Sequence, residues 1–300
     1  MNFLVIGGAG FIGSRLVNLL LEEKHEVTVI DNLHSGKLEN LANFQNKIDF
    51  HNIDVRDHEK IKPIASKSDG IFHFAALTNV LESFTKQDEY YAVNVKGTQN
   101  ILDIAKQFDL KVVFASSAAV YGDAKKIPIK EDTERNPLNP YGQTKLNGEY
   151  LCEKYSQMGT RITVLRFFNV YGKGQNPAYA GVISKFLENV SNGKPPIIYG
   201  DGTQARDFVF VDDVAEANLL AMKSNSSGKF INVGTGIKTS IKELAEMIIK
   251  ISKQNIKPIY VDAKEGDIRN SQADITLSYE LLKWSPKTKI EDWLKTIQNN

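Results

Sequence analysis

The chain has 300 residues, 42% of them hydrophobic and 24% charged, with a formal net charge of +1. Those values suit a globular protein and give no electrostatic reason to expect nucleic acid or an anionic membrane as partner. Cys152 is the only cysteine, which excludes an internal disulfide and a cysteine-based metal cluster. We expect no metal and a reducing, cytoplasmic setting. The chain enters a strand at its start, so no signal peptide is expected. No apolar run approaches the roughly 18–20 residues that span a bilayer.

Residues 3–6 are apolar without polar alternation, as suits a strand buried on both faces of a parallel sheet. The loop Gly7-Gly8-Ala9-Gly10-Phe11-Ile12-Gly13 follows, then a helical stretch over about 11–23. Further strands are expected at 26–30, closed by Asp31, and at 48–53, closed by Asp54. Others follow at 70–74, 111–115 and 161–166. Helices are expected at about 57–66, 87–108 and 141–158. Strands alternating with helices predict a Rossmann-type, right-handed, doubly wound parallel sheet. Past Arg166 the segments shorten and Gly and Pro multiply. Helices at about 181–192, 212–222 and 241–251 and strands at 197–199, 207–211, 230–233 and 258–261 are expected there. Ser240 to Glu243 has a capping-box pattern, and short helices are expected at 277–282 and 290–298. Residues 1–168 thus read as a dinucleotide-binding domain. Residues 169–300 read as a smaller C-terminal α/β substrate domain, with a soft boundary that segments can cross.

Glycines at 7, 10 and 13 follow a strand and open a helix. Gly7 permits the tight turn, Gly10 lets backbone approach a pyrophosphate, and Gly13 allows close helix–strand packing. A packing turn without ligand is the plain alternative. Asp31, ending the second strand, weighs against it. A carboxylate there accepts both ribose hydroxyls and repels a 2′-phosphate, which selects NAD over NADP. Asp54 and Val55 are placed to meet the adenine edge, although Asp54 equally suits a helix cap. Phe74, Ala75 and Ala76 end the fourth strand with small residues, either for a cofactor to lie against or for tight packing. His73 reads as a core or supporting histidine rather than a catalyst. Asn94 is a poor helix former inside the long helix, either solvated or pointing into the cleft.

Ser117 follows the fifth strand at the carboxyl edge, where α/β sheets place ligands. Tyr141 and Lys145, four apart, share one helix face. The ammonium can hold the phenol near its anionic form, as a base at neutral pH. The pair is a weak signal alone. It is strong after the glycine loop and a strand-end serine. Arg206, beside a strand, and the turn Lys264-Glu265-Gly266-Asp267-Ile268-Arg269 offer cations for a diphosphate. Each alone reads first as a surface salt bridge. Tyr199 is placed to stack on a flat base or simply to pack.

Taken together, the glycine loop, Asp31-Asn32-Leu33, His73-Phe74-Ala75-Ala76, Ser116-Ser117-Ala118-Ala119-Val120-Tyr121-Gly122, Tyr141–Lys145 and Leu165-Arg166-Phe167-Phe168-Asn169 resemble the extended short-chain dehydrogenase/reductases over nearly the full chain. Within that family the chain is most similar to NAD-dependent UDP-hexose 4-epimerases of the UDP-glucose 4-epimerase type. The resemblance implies Ser117, Tyr141 and Lys145 as catalytic residues. It implies further NAD contacts from Asn32, Ser35, Gly36, Val55, Asn94 and Phe168. Contacts to a UDP-sugar are implied for Asn169, Tyr199 and Arg206. Thr78 lies in a loop near the sugar where other members carry cations. Lys264 stands where an arginine often binds the diphosphate, with Asp267 in the same turn. The implied reaction is reversible oxidation of the sugar at C4 to a 4-keto form and re-reduction on the opposite face, with NAD kept bound. A homodimer through the helices at 87–108 and 141–158 is implied. Related 4,6-dehydratases carry an acidic pair where this chain has Ala118 and Ala119, which disfavours dehydration. Ser271 falls where some epimerases carry a tyrosine, leaving room for a 2-N-acetyl group. The alternative is another nucleotide-sugar-modifying member, a dehydratase or a reductase.

Overall fold

In the computed structural model, which describes residues 1–175, 181–263 and 268–298, Phe3, Leu4, Val5 and Ile6 are at most 1% exposed. Successive strand residues face opposite sides, so an unbroken apolar run marks a strand covered on both. Phe3 and Val5 join Leu16, Val17 and Leu20 in one core, and Leu4 and Ile6 join Ile61, Tyr90 and Ile101 in another.

The first half supplies strands β1 (Asn2–Ile6), β2 (Glu26–Asp31), β3 (Asp49–Asn52), β4 (Gly70–His73), β5 (Lys111–Ser117) and β6 (Ile162–Phe167). Its helices are α1 (Phe11–Glu22), α2 (His58–Ala65), α3 (Val80–Thr85), α4 (Gln87–Tyr90), α5 (Gly97–Gln107) and α6 (Pro140–Gln157). The second half adds β7 (Asn169–Tyr171), α7 (Val182–Ser191), β8 (Ile197–Tyr199), β9 (Ala205–Phe210), α8 (Val211–Lys223) and β10 (Phe230–Val233). It closes with β11 (Lys238–Ser240), α9 (Ile241–Ser252), β12 (Ile259–Val261), α10 (Thr276–Leu282) and α11 (Ile290–Gln298).

Among the described residues the main sheet runs β3-β2-β1-β4-β5-β6-β10, with every neighbour parallel. The order reverses between β1 and β4, and such switch points open a crevice at the carboxyl ends of the strands. Smaller sheets, β11-β9-β7 and β12-β8, belong to the second half. There Ile183, Phe186, Leu244, Ile248 and Leu294 form a further core. The capping box is formed, with Ser240 Oγ accepting from Glu243 N and Glu243 returning the bond to Ser240 N. No helix among the described residues is long and apolar enough to cross a membrane.

Several elements depart from expectation. The long helix over 87–108 contains a π-helical turn, Tyr91–Lys96, around Asn94, whose side chain bonds to other segments. Strand β5 continues to Ser117, so this serine is the last strand residue rather than a loop residue. β10 was expected in the substrate half but completes the main sheet beside β6, and α8 packs on α1. The division at 168/169 is therefore crossed by 211–233.

The C-terminal segment is pinned by Trp284, which is 1% exposed and donates Nε1–H to the Asp213 carbonyl at 2.9 Å. Truncating a buried aromatic of this kind costs about 3–5 kcal/mol. Trp284→Ala is expected to lower the urea midpoint accordingly; an unchanged midpoint would contradict this packing.

Candidate active site

Strand β1 ends at Ile6 and the chain turns at Gly7, whose φ is +82°. Only glycine adopts that conformation without strain. A Cβ there would also lie 2.6 Å from the Ala75 backbone nitrogen. A Cβ at Gly13 would strike the Gly7 carbonyl oxygen, so the two glycines let α1 start directly on the strand end. Gly10 is the N-cap of α1 and no side chain caps it. The positive end of the helix thus faces the crevice with its first N–H groups available.

Asp31 closes β2 and is 8% exposed. Its carboxylate accepts from Ala9 N at 2.9 Å and Leu33 N at 2.8 Å. Burial raises its pKa, and those backbone bonds pull against the rise. Gly36 lies against it, since a Cβ there would sit 2.9 Å from both carboxylate oxygens. Asp54 is held in a different way. Arg56 donates Nε and Nη2 to its two oxygens at 2.7 Å each, and Asn32 Nδ2 adds a bond at 2.8 Å. The Arg56 guanidinium holds this carboxyl far below the usual range. With its oxygens so occupied, Asp54 stays out of the cleft wall, which is formed there by Val55 and Arg56. Sequence reading missed Arg56, although an arginine two residues after a strand-end aspartate is a visible signal.

A cleft of about 520 Å³ lies at the switch point, bordered by the glycine loop, Asp31, Asn32, Val55 and Arg56. Every residue expected to contact the cofactor lines it except Gly36, Asp54 and Asn94. Ser117 and Thr78 line it as well. Asn94 is 3% exposed, and its amide is engaged elsewhere. Oδ1 accepts from Leu77 N at 2.8 Å, and Nδ2 donates to Leu77 O and Thr144 Oγ1 at 2.9 Å each. It therefore ties the segment after β4 to α6 rather than being solvated or facing the cleft.

Helix α6 brings Tyr141 over the end of β5. Asn139 caps it, accepting from Gly142 N at 2.8 Å, and Pro140 occupies the first turn. Tyr141 and Ser117 both line the cleft, and Ser117 favours the Tyr141 phenolate. Ser117 Oγ accepts from Ala119 N at 3.2 Å, so its own O–H can point at the phenol oxygen. Lys145, one turn on, is 5% exposed and donates Nζ–H to the Ala115 carbonyl at 2.7 Å. Burial pulls its pKa down to about 8, against the pull of Cys152 and Glu149. Burial raises the Tyr141 pKa and Ser117 lowers it. The ammonium is held by a strand carbonyl, and Ser117 is the group that favours the phenolate. His73 is a core residue. Burial takes its pKa to about 3, which keeps it neutral, and Nε2 lies 3.0 Å from Thr98 Oγ1.

Asn169, Arg206 and Ser271 gather round β9, and Tyr199 lies on the separate β12-β8 sheet. Asn169 on β7 donates to the Asp207 carbonyl at 3.3 Å. Arg206 donates to the carbonyls of Ala205 and Ile268 at 3.0 and 2.5 Å. Ser271 is 7% exposed, and its N–H bonds to Ala205 O at 3.0 Å. Tyr199 ends β8 with 40% exposure. None of these four lines the cleft, whose wall on this side is Val170, Gly174 and Gln175. Lys264 and Asp267 lie outside the described residues. The fully buried Asp207, which sequence reading passed over, accepts from Thr235 N, Thr235 Oγ1, Gly236 N and Ala273 N at 2.6–3.0 Å. It fastens two loops to the strand that carries Arg206.

Because the Gly7 carbonyl occupies the place of a Cβ at Gly13, Gly13→Ala is expected to push α1 off the strand end. The purified variant should retain bound dinucleotide poorly, by more than about tenfold in affinity. Wild-type retention, measured by extraction and absorbance, would contradict the role given to the loop.

Comparison with known proteins agrees with this geometry. The NAD dependent epimerase/dehydratase family matches residues 3–234. Over 99% of its length the chain is 40% identical to a putative UDP-glucose 4-epimerase of Methanocaldococcus jannaschii, covering 97% of that relative. The crystal structure of UDP-glucose 4-epimerase from Thermotoga maritima with UDP-glucose superposes with a TM-score of 0.94 at 36% identity, covering 100% of this chain and 98% of that one. The UDP-N-acetylglucosamine 4-epimerase of Methanobrevibacter ruminantium, in complex with UDP-N-acetylmuramic acid, gives a TM-score of 0.93 at 36% identity, covering 99% and 97%. From the glycine loop at its start to the β10 strand that completes its sheet, the chain belongs to the NAD dependent epimerase/dehydratase family.

Proposed function

We propose that this chain is a UDP-hexose 4-epimerase acting on UDP-glucose and UDP-galactose, and on their N-acetylated forms. The observation that carries the reading is that Ser117, Tyr141 and Lys145 line the same cleft as the glycine loop.

The cleft suits NAD. A Cβ at Gly10 would meet only the Gly7 carbonyl oxygen, at 3.2 Å, which leaves room above the loop for a diphosphate at the uncapped end of α1. Asp31 keeps acceptor capacity for ribose hydroxyls beyond its two backbone bonds. Gly7, Gly10, Phe11, Ile12, Gly13, Asp31, Asn32, Ser35, Val55, Phe74, Ala75, Ala76 and Phe168 would hold the cofactor. What NAD supplies there is reversible hydride transfer at C4 of the sugar.

The chain's own residues manage the proton. Tyr141, as phenolate, accepts it from the 4-hydroxyl. Ser117 donates its O–H to the same oxygen, its lone pair already engaged by Ala119 N–H. Lys145, protonated near neutral pH with its pKa at about 8, supplies positive charge in a dry site. Tyr141 gives the proton back once the 4-keto sugar has presented its other face, so C4 inverts with no net redox change. Ala118 and Ala119 open the turn after Ser117 and offer no acid to protonate a leaving hydroxyl, which disfavours elimination of water. Asn169, Tyr199, Arg206 and the segment through Lys264, Asp267 and Ser271 are assigned to the UDP-sugar. The N-acetyl substrates are supported by the Methanobrevibacter relative and by the small side chain at Ser271.

A homodimer through the helical segments 87–108 and 141–158 belongs to the same reading, with Tyr91 on the π-helical turn and Tyr150 on α6 offering 47% and 48% exposed aromatic surface. Light scattering should give twice the chain mass, and a monomer mass at micromolar concentration would contradict it.

The test of function is incubation with UDP-glucose, UDP-galactose and their N-acetyl forms, followed by chromatography. The 4-epimers should appear without net cofactor reduction. Tyr141→Phe should lower kcat by about 10²–10⁴-fold. Epimerisation at the wild-type rate in Tyr141→Phe, or a dehydrated product from wild type, would sink the reading.

A further inference from the structure

Two turns past Tyr141 and one past Lys145, α6 carries Glu149, whose side chain is 0% exposed. Its carboxylate accepts four hydrogen bonds. Arg166 donates Nε at 2.9 Å and Nη2 at 2.8 Å, Ser116 Oγ donates at 2.6 Å, and Arg135 Nη1 donates at 3.1 Å. Four acceptances fill the capacity of a carboxylate. Arg166, 2% exposed, extends the cluster through Nη1 to the Tyr121 hydroxyl and the Glu131 carbonyl, both at 2.8 Å. Tyr121 in turn donates to Asn232 Oδ1 at 2.7 Å.

The partners come from several elements around the reacting pair. Ser116 immediately precedes Ser117 on β5. Arg166 lies on β6, Asn232 on β10, and Tyr121, Glu131 and Arg135 on the connection between Ser117 and Tyr141. A buried ion cluster adds little stability over a well-packed apolar one. It does add direction, because charge-assisted hydrogen bonds hold distance and angle where apolar contacts can slide. Tyr141 and Ser117 sit on different elements, and a misplacement of about 1 Å between reacting groups can cost about 10²-fold in rate.

Resting on the epimerase reading above, we propose that Glu149 is a positioning residue: through Ser116 and Arg166 its carboxylate fixes the strand end carrying Ser117 against the helix carrying Tyr141 and Lys145. The charged and titratable groups packed round this region are Lys145, Cys152 and Glu153 on α6, Arg166 on β6, and His73 on β4. Tyr121, Glu131 and Arg135 complete the set from the connecting segment, where Arg135 also meets Glu153 at 2.8 Å. Glu149 offsets the buried Arg166 guanidinium and the partly exposed one of Arg135, while its bond to Ser116 sets the geometry.

Ser116→Ala removes one hydroxyl and leaves the ion cluster in place; Glu149→Gln keeps the shape and removes the charge. Both are compared in the NAD-loaded enzyme. Ser116→Ala should lower kcat for UDP-galactose about tenfold with KM within about twofold. The double variant should lose little beyond Glu149→Gln alone, as residues acting through one contact do. The Tyr141 phenol, followed by ultraviolet difference titration against Tyr141→Phe, should titrate about half a pH unit or more higher in Ser116→Ala, because Ser117, which favours the phenolate, is no longer held in place. Wild-type kcat and wild-type titration in Ser116→Ala would overturn the proposal, as would a loss confined to KM. If the wild-type enzyme turns over no UDP-hexose, the epimerase reading falls, and the Tyr141 titration alone then decides whether Glu149 positions the pair.

Discussion

Lys145 donates to the Ala115 carbonyl at 2.7 Å, and this contact decides where the chemistry sits. A lysine that is 5% exposed needs a partner for its charge. The free carbonyls at the carboxyl end of a parallel strand provide one. Meeting that need draws the first turns of α6 across the end of β5 and sets Tyr141 beside Ser117. The same end of the sheet, two strands away, turns through the glycine loop into α1. The glycine loop and Tyr141 thus share one crevice because both depend on the strand ends at the switch point.

The two halves are interleaved. β10 and α8, late in the chain, complete the main sheet and cover α1. Asp207 binds the 235–236 loop and Ala273 to β9 next to Arg206. β7, which follows the main sheet directly from β6, pairs with β9. Asn169, Arg206 and Ser271 are therefore fastened to the chain that leaves the main sheet.

Much of this was legible in the sequence where the constraint is local. Gly7 and Gly13 announce themselves because no other residue fits their backbone contacts. Tyr141 and Lys145 are visible from a four-residue spacing on a helix, and the paired cores on either face of β1 from an unbroken apolar run. What escaped depends on partners distant in sequence. Asn94 reads as a helix defect until Leu77 and Thr144 meet its amide, 17 and 50 residues away. Phe230–Val233 carries no mark of which sheet it joins, since a parallel strand's neighbour is set by crossover packing. Glu149 resembles any solvated helix acid until Ser116 and Arg166 close on it, and Asp207 resembles half of a surface pair with Arg206.

The central claim is that Tyr141 serves a redox cycle closed within one bound sugar. The most direct measurement is conversion of UDP-galactose carrying deuterium at C4, with the product examined by mass spectrometry and proton magnetic resonance. The account predicts UDP-glucose that keeps the deuterium at C4, because the hydride removed is the hydride returned. Exchange of that deuterium for solvent hydrogen, or its appearance on released cofactor, would contradict it.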